Sequence, residues 1–376
     1  MNKKILVAPT DFKESISAIR VAERISQKLS SLLQGKNYEI VNLPVSDGGD
    51  GFLNSISLLK KTEKLTISIP RHYDFDSYFD VAFLYDKNEK SLYVESANVL
   101  GLKLTPENKR NPLFNSSYGL GILLKKLDEM NRNGEIRIEK VIIGIGGTST
   151  QDLGLGIASA FGLRLQKCSH PLPVLPKFYR KAEKILFDKT KFELSYKILT
   201  VADVRNPLLG ERGSNRIFAK QKGASQSDIK ILEEGFQNII RLLRIKNTEN
   251  LSGAGGGLAF GLQYFFNAGI IPAEEFIIEN FLKHHANSDA VITGEGKIDK
   301  QTFGGKAPGI IYEFFNKRKI PVFFIVGENE LIENSNFIVE EIYAYYKDKI
   351  DSIKNPEKGI ELATEKIANK ILEKIG

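Results

Sequence analysis

The sequence predicts an α/β protein of two domains, and three observations carry that expectation. Short apolar, β-branched runs alternate with longer segments of helical spacing, the pattern of a largely parallel sheet clothed in helices. Several of those runs are apolar throughout, as strands covered on both faces are. The chain has 376 residues, which at about 150 residues per domain is enough for two or three domains.

Taken in order, the candidate strands are 4–8, 39–45, 64–69, 78–85, 91–95, 140–145, 196–201, 290–293 and 322–326. A helix is expected over 17–34, because Ala22, Ile25, Leu29 and Leu32 recur at three and four residues and so line one face. Ser15 or Ser17 supplies its cap. At the far end, Asn355 and Pro356 read as an N-cap followed by proline at the first helical position. Ile360, Ala363, Ile367 and Ile371 face inward along that helix, which is therefore expected to dock on a sheet.

The polar segment RHYDFDS, 71–77, follows a strand and marks a crossing between domains, with the return near 281–288. Residues 1–72 and 286–376 are then expected to share one doubly wound sheet, and 73–285 to form an inserted α/β domain. A cleft between two such domains is a common place for a small-molecule site.

Composition narrows the class. Apolar residues make up 42% and charged residues 26% of the chain, an ordinary globular balance rather than a disordered or fibrous one. Cys168 is alone and cannot pair within the chain, so a disulfide framework is excluded and a reducing cytoplasm fits. The first apolar run stops at Pro9, short of the core a signal peptide needs, and no stretch approaches the ~20 apolar residues of a membrane span. The net charge is +7 and the pI is about 9.1. Lysines such as Lys60, Lys61, Lys125 and Lys126 are scattered among acids, with no basic stripe interleaved with aromatics, so nucleic acid is not the expected partner. A modestly positive field suits an enzyme of phosphates and carboxylates.

Six segments rich in glycine or carboxylate, the sixth a pair, sit where strands are expected to end, which is where open α/β sheets place their ligands. In APTDFKES, 8–15, Asp11 and Lys13 offer an acceptor and a cation on one loop. In SDGGDGF, 46–52, Asp47 and Asp50 straddle two glycines, so backbone amides can approach an anion while a carboxylate holds Mg²⁺. In RNPLFNSSYGLG, 110–121, Arg110 can grip an oxyanion in bidentate fashion, and Ser116, Ser117 and Tyr118 bring hydroxyls to a helix start. Each of these three also reads, by itself, as a cap or a turn.

The strand 140–145 runs into Gly146, Gly147, Thr148, Ser149 and Thr150, a phosphate-cradling composition with Asp152 available to a metal or a hydroxyl. It fits neither the dinucleotide fingerprint nor the Walker loop. Asp203 closes another strand, where an aspartate can take a proton from a substrate hydroxyl; Arg205 and Asn206 follow, and Lys220, Gln221 and Lys222 cluster beyond. Gly255, Gly256 and Gly257 form a further glycine run, and Glu295, Asp299, Gln301, Thr302 and Lys306 crowd one polar loop after an apolar strand. By contrast, adjacent His284 and His285 point to different helix faces and read as exposed, His72 and His170 stand alone, and Tyr264, Phe265 and Phe266 read as core. No G-x-S-x-G elbow supports a serine triad.

In their joint order, APTDFKES, DGGDG, RNPL with SSYGLG, IGIGGTSTQD, DVRNPLLGERG, QKGA, GAGGG and ITGEGKIDKQT with its trailing Gly-Lys resemble the bacterial type I glycerate kinase family over nearly the whole chain. The sequence departs from the usual pattern at Thr10 and Asp11, and at Gln151, Leu153 and Leu155, where Asn, Gly and Ala are commoner. The resemblance implies ATP-dependent phosphorylation of D-glycerate with Mg²⁺, the 2-phosphate favoured as product. It also implies a discontinuous Rossmann-like (flavodoxin-like) domain from both chain ends plus the inserted domain, in a cytoplasmic enzyme without membrane or nucleic-acid partners and compatible with a homodimer.

Under that resemblance Asp203 is the expected base, with Lys13 and Lys306 neutralising charge at the reacting groups. Arg110, Ser116, Ser117 and Asn206 are expected to bind substrate, and Gly146, Gly147, Thr148 and Gly255, Gly256, Gly257 the nucleotide. Asp47, Asp299 and Glu295 are the expected metal ligands. Two rivals remain: a kinase of another small hydroxy acid, and a metabolite-binding protein without turnover.

Overall fold

In the computed structural model, which describes residues 2–13, 15–167, 173–203, 206–248, 251–331 and 337–375, the chain forms two compact units. One comprises Met1–Asp47, Asn54–Leu59 and Ala273–Gly376; the other comprises Gly48–Leu53 and Lys60–Pro272. Cys168, His170 and Arg205 lie outside the described residues.

The first unit is built on a five-stranded parallel sheet in the order Ile338–Glu341, Val322–Val326, Ala290–Gly294, Lys3–Pro9, Tyr38–Asn42. Ile5 stands opposite Ala290 on one side and Ile40 on the other, so the strand nearest the start of the sequence lies inside the sheet. Val322–Val326 and Ala290–Gly294 are buried along their whole length, as continuous apolar runs dictate. Ile5, Val7, Ile292, Phe323 and Ile325 pack with Val21, Ile25 and Leu29 of helix Ala18–Leu32 and with Ile360, Ala363, Ile367 and Ile371 of helix Pro356–Ile375. The terminal helix therefore docks as expected. Its Glu357 pairs with Arg20 and Arg24, and Lys28 reaches Glu365 at 2.5 Å.

One detail of the first helix differs from the spacing argument. Leu32 is 37% exposed while Leu33 is buried. Leu33 lies four residues after Leu29 and its amide still donates to Leu29 O at 2.8 Å, so helical spacing places Leu33 on the face of the buried Leu29. Ser17 takes the N-cap position without a side-chain bond; the Asp11 carboxylate accepts the Ala18 amide instead, at 2.7 Å.

The second unit carries a six-stranded sheet ordered Gly269–Pro272, Lys197–Ala202, Lys140–Ile145, Ser91–Glu95, Tyr78–Asp86, Glu63–Pro70. The first four strands run parallel, and Tyr78–Asp86 pairs antiparallel with Ser91–Glu95 on one side and Glu63–Pro70 on the other. Leu120, Leu123, Leu124 and Leu127 of helix Tyr118–Arg132, and Leu258 and Leu262 of helix Ala254–Phe266, pack on Phe83, Leu92, Val94, Val141, Ile143 and Ile198. A second cluster gathers Leu153, Leu155, Leu163, Tyr179, Phe236, Ile239 and Phe260. Phe265 is buried within it, and Tyr264 and Phe266 pack against it, so the aromatic triplet is core as expected.

The expected strands recur with shifts of a residue or two; beyond Tyr38–Asn42 the amides of Leu43 and Val45 still donate to Val7 O at 2.8 Å and Pro9 O at 2.9 Å, so 43–45 continues alongside Lys3–Pro9. Among the described residues, two strands of these main sheets escaped the apolar-run criterion, as did the short strands of two two-stranded sheets, Arg164–Gln166 with Lys184–Leu186 and Lys297–Ile298 with Glu328–Asn329. Gly269–Pro272 is short and bracketed by a glycine and a proline, and Ile338–Glu341 lies at a sheet edge and is half acidic. Among the described residues, no helix is long and apolar enough to cross a membrane.

Candidate active site

Because each unit's strands are mainly parallel, the loops that follow them emerge along one edge of the sheet, and the chemistry-bearing segments are those loops. In the first unit, Lys13 follows Lys3–Pro9, Asp47 follows Tyr38–Asn42, and Glu295, Asp299 and Lys306 follow Ala290–Gly294. A Cβ on Gly296 would lie 3.2 Å from the Lys13 amide nitrogen, so the first and third loops touch through their backbones.

The third loop is tightly wired. Thr302 Oγ1 donates to Glu295 Oε1 at 2.5 Å and accepts the Asp299 amide at 3.1 Å. Asp299 Oδ1 accepts the amides of Gln301 and Thr302 at 2.8 and 3.2 Å. Lys306 Nζ lies 3.7 Å from Glu295 Oε2 and 3.6 Å from Asp299 Oδ1, one cation bridging two carboxylates. Burial pushes the Glu295 carboxyl above its ordinary range; the Thr302 hydroxyl and Lys306 oppose the rise, and the charges of Asp299 and Asp47 add to it. The structure thus brings Asp47, Glu295, Asp299 and Lys306 into one electrostatic neighbourhood.

In the second unit, glycine makes close backbone approach possible. A Cβ on Gly48 would stand 2.8 Å from the Val201 carbonyl oxygen, and one on Gly146 would stand 2.5 Å from Gly49 Cα. The turn at 48–50 therefore lies directly on the ends of strands Lys140–Ile145 and Lys197–Ala202. Glu95, buried at the end of its strand, fixes that turn by accepting the amides of Gly51 at 3.3 Å and Leu53 at 3.0 Å. Asp50 pairs with Lys103 at 3.1 Å. Asp203 follows Lys197–Ala202 directly and is half-buried.

The loop after Lys140–Ile145 is almost wholly interior: Thr148, Ser149, Thr150, Gln151 and Asp152 are buried. Asp152 sits at 0% exposure, and its carboxylate accepts the Ser117 amide and hydroxyl at 2.7 Å each, the Gly154 amide at 3.1 Å and the Gly156 amide at 3.2 Å. The sequence had offered this carboxylate to a metal or a substrate hydroxyl; its lone pairs are instead occupied by the turn it organises. Burial holds its pKa above the ordinary range against the pull of those four bonds. Ser117 in turn accepts the Ile157 amide at 3.1 Å. Leu153 adopts φ +55°, a region costing an L-residue about 1 kcal/mol, and is held there in the core.

Ser116 is buried, and Arg110 donates its Nε to Thr105 O at 3.2 Å while remaining partly exposed. Asn206 accepts the Gly253 amide at 2.9 Å. Gly255, Gly256 and Gly257 take φ of +63°, +74° and +83° in succession, and the amides of Gly256 and Gly257 both donate to Gly253 O.

Sequence reasoning gave no role to Glu95, and named Lys222 only as one of a cluster. Lys222 is 4% exposed and donates to Thr150 O at 2.8 Å, beside Thr148 Oγ1 at 3.4 Å. Burial lowers its pKa to about 7, partly offset by the charge of Asp152. A signal for Glu95 was present, a carboxylate ending an otherwise apolar strand; none marked Lys222, whose burial depends on distant loops.

The model of the glycerate kinase family matches residues 5–372. The chain is 34% identical over 334 residues to a glycerate kinase of Halalkalibacterium halodurans, covering 86% of this chain and 85% of that one. It is 30% identical over 337 residues to the glycerate 2-kinase of Escherichia coli K12, with the same coverage of 86% and 85%. Its fold is similar to the crystal structure of a Salmonella typhimurium LT2 protein described as a candidate glycerate kinase 2, with a TM-score of 0.74, 25% identity and 99% of each chain covered.

Proposed function

The chain belongs to the glycerate kinase family, and from that premise we propose that it transfers the γ-phosphoryl of ATP, accompanied by Mg²⁺, to the 2-hydroxyl of D-glycerate. Its activity is that of a glycerate kinase, a phosphotransferase with an alcohol as acceptor. The observation that carries the phosphoryl-transfer chemistry is the loop in which Lys306 bridges Glu295 and Asp299. Such transfer is governed by positioning and charge neutralisation, and this loop offers carboxylates for a metal and a cation for phosphate oxygens.

Mg²⁺ takes one or two protein carboxylates and completes its shell with phosphate oxygens and water. Among the described residues no group of three or more His, Cys, Asp or Glu has the spacing to hold a metal ion alone. Glu295 and Asp299, with Asp47 in their electrostatic neighbourhood, fit an ion shared with the nucleotide. When bound, the ion would neutralise charge developing on the phosphates.

Lys13 and Lys306 are assigned to phosphate charge, and Asp203 to the proton of the attacking hydroxyl. Gly146, Gly147, Thr148 and the turn at Gly255, Gly256 and Gly257 are assigned to the nucleotide, their small side chains leaving room for close backbone approach. Arg110, Ser116 and Asn206 are assigned to glycerate, with Ser117, its hydroxyl committed to Asp152, fixing the position of Ser116. The reading is tested by coupled ADP release with D-glycerate and Mg²⁺, followed by identification of the phosphorylated carbon. ADP formed with another hydroxy acid and not with glycerate would overturn the substrate; a 3-phosphate product would overturn the position.

A further inference from the structure

Lys222 closes the short turn Lys220–Lys222, and Gly223 after it takes φ +93° with its Cα pressed on the Arg110 backbone, where a Cβ would stand 1.9 Å from the carbonyl oxygen. The ammonium is thereby carried into the second unit. Among the described residues its oxygen partners are the Thr150 carbonyl and the Thr148 hydroxyl. Among the described residues no carboxylate forms an ion pair with it: Asp152 acts on it through charge alone, its lone pairs occupied by Ser117, Gly154 and Gly156. A buried ammonium without a paired anion is costly, and such groups concentrate at binding sites, where a ligand supplies the missing charge.

Its surroundings are unsatisfied in a matching way. Gln151 and Ser214 exchange two hydrogen bonds of 3.0 Å, which ties together the segments that carry Thr150 and Asn215. Thr150 Oγ1 and both Asn215 side-chain atoms are buried without a hydrogen-bond partner, as are Ser116 Oγ and Asn115 Oδ1. These are five of the eight such atoms among the described residues. Buried polar groups are ordinarily paired, so an ammonium held by the carbonyl of Thr150, whose own hydroxyl is idle, with the idle carboxamide of Asn215 on the segment bonded to Gln151, suits a small acid: an oxyanion for the cation, and hydroxyls for the donor and acceptor groups.

We propose that Lys222 binds the carboxylate of the hydroxy-acid substrate and that Thr150 and Asn215 recognise its hydroxyl groups. This rests on the glycerate kinase reading and deepens it. An oxyanion at Lys222 has a second possible source, the phosphates of ATP, and the kinetics separate the two.

The test is steady-state ADP release by the full chain, with D-glycerate and ATP varied independently, for the parent, Lys222→Met, Lys222→Arg and Thr150→Val. The expected result is a rise of about 100-fold or more in KM for D-glycerate in Lys222→Met, with KM for ATP within about threefold of the parent and partial recovery in Lys222→Arg. Thr150→Val removes a hydroxyl that has no partner in the protein, so its melting temperature should not fall while KM for D-glycerate rises about 5-fold or more. The Thr150 variant decides the matter if Lys222→Met does not fold. Unchanged KM for D-glycerate in Thr150→Val and Lys222→Met overturns the proposal, and a rise confined to KM for ATP assigns Lys222 to phosphate instead. If the parent releases no ADP with D-glycerate, the kinase reading has failed. Melting-temperature shifts of parent and variants with D-glycerate, glycolate or lactate then decide Lys222 separately: a shift in the parent lost in both variants supports the site, and equal shifts, or none in any protein, overturn it.

Discussion

Asp152 accepts both the amide and the hydroxyl of Ser117 through one oxygen, Oδ2, at 2.7 Å each. The two residues are 35 positions apart, and this contact joins the start of helix Tyr118–Arg132 to the turn that opens helix Leu155–Ala160. Removing the carboxylate strands several buried donors at once. Asp152→Ala should therefore cost about 3–5 kcal/mol in urea unfolding, and Ser117→Ala about 1–2 kcal/mol. Equal losses for the two would show that Asp152 is not the hub.

His72 supplies a pH dependence with a definite sign. Burial pushes its pKa down to about 4 from the ordinary 6.5, and its Nε2 lies 2.7 Å from Thr105 Oγ1, which itself donates to Gly101 O. The imidazole, desolvated by burial and hydrogen-bonded to Thr105, is neutral in the folded protein. A depressed folded pKa gives stability that is present above pH 6.5 and is lost as pH falls toward 4, at up to about 1.4 kcal/mol per pH unit. Denaturant midpoints at pH 6.5, 5.5 and 4.5 should fall more steeply for the parent than for His72→Gln; parallel slopes would discard His72 as the source.

Asp203 and Lys306 carry separable parts of the proposed chemistry. Asp203→Asn should lower turnover by about 10²-fold or more with an unchanged melting temperature, and near-parent turnover removes it as base. Lys306→Ala should raise KM for ATP or lower turnover by about tenfold or more. It should also drive the Glu295 carboxyl further up, since Lys306 is one of the groups holding it down. Unchanged kinetics in both substrates would end that assignment.

Glycine is required at 256 and not at 304. A Cβ on Gly256, at φ +74°, would stand 2.1 Å from the Thr150 carbonyl oxygen, a backbone atom that cannot swing aside, whereas one on Gly304 meets nothing within 4 Å. Gly256→Ala should lose about 2–4 kcal/mol or fail to fold, and Gly304→Ala should stay within about 0.5 kcal/mol. Thermal unfolding of the two side by side checks the contrast.

Strands such as Val322–Val326 were legible because burial on both faces leaves an uninterrupted apolar run, and the terminal helix because Ile360, Ala363, Ile367 and Ile371 keep helical spacing. Ile338–Glu341 was not, since an edge strand need satisfy only one neighbour and tolerates two glutamates. The candidate loops were legible as chemistry, each following a strand. What stayed hidden was which polar groups are sealed. Asp152 and Lys222 have the composition of surface residues, and only contacts between segments far apart in the chain make one a buried hub and the other a buried cation.

The placement of Lys3–Pro9 between Tyr38–Asn42 and Ala290–Gly294 bears on biosynthesis. Thr293 bonds to Ala8 across 285 positions, so at about 5–20 residues per second the ribosome takes roughly 15–60 s after making this strand to deliver its second neighbour. The newborn hydrophobic strand must wait, half-paired, while the intervening polypeptide emerges. Cells short of chaperones should accumulate aggregates seeded by this strand.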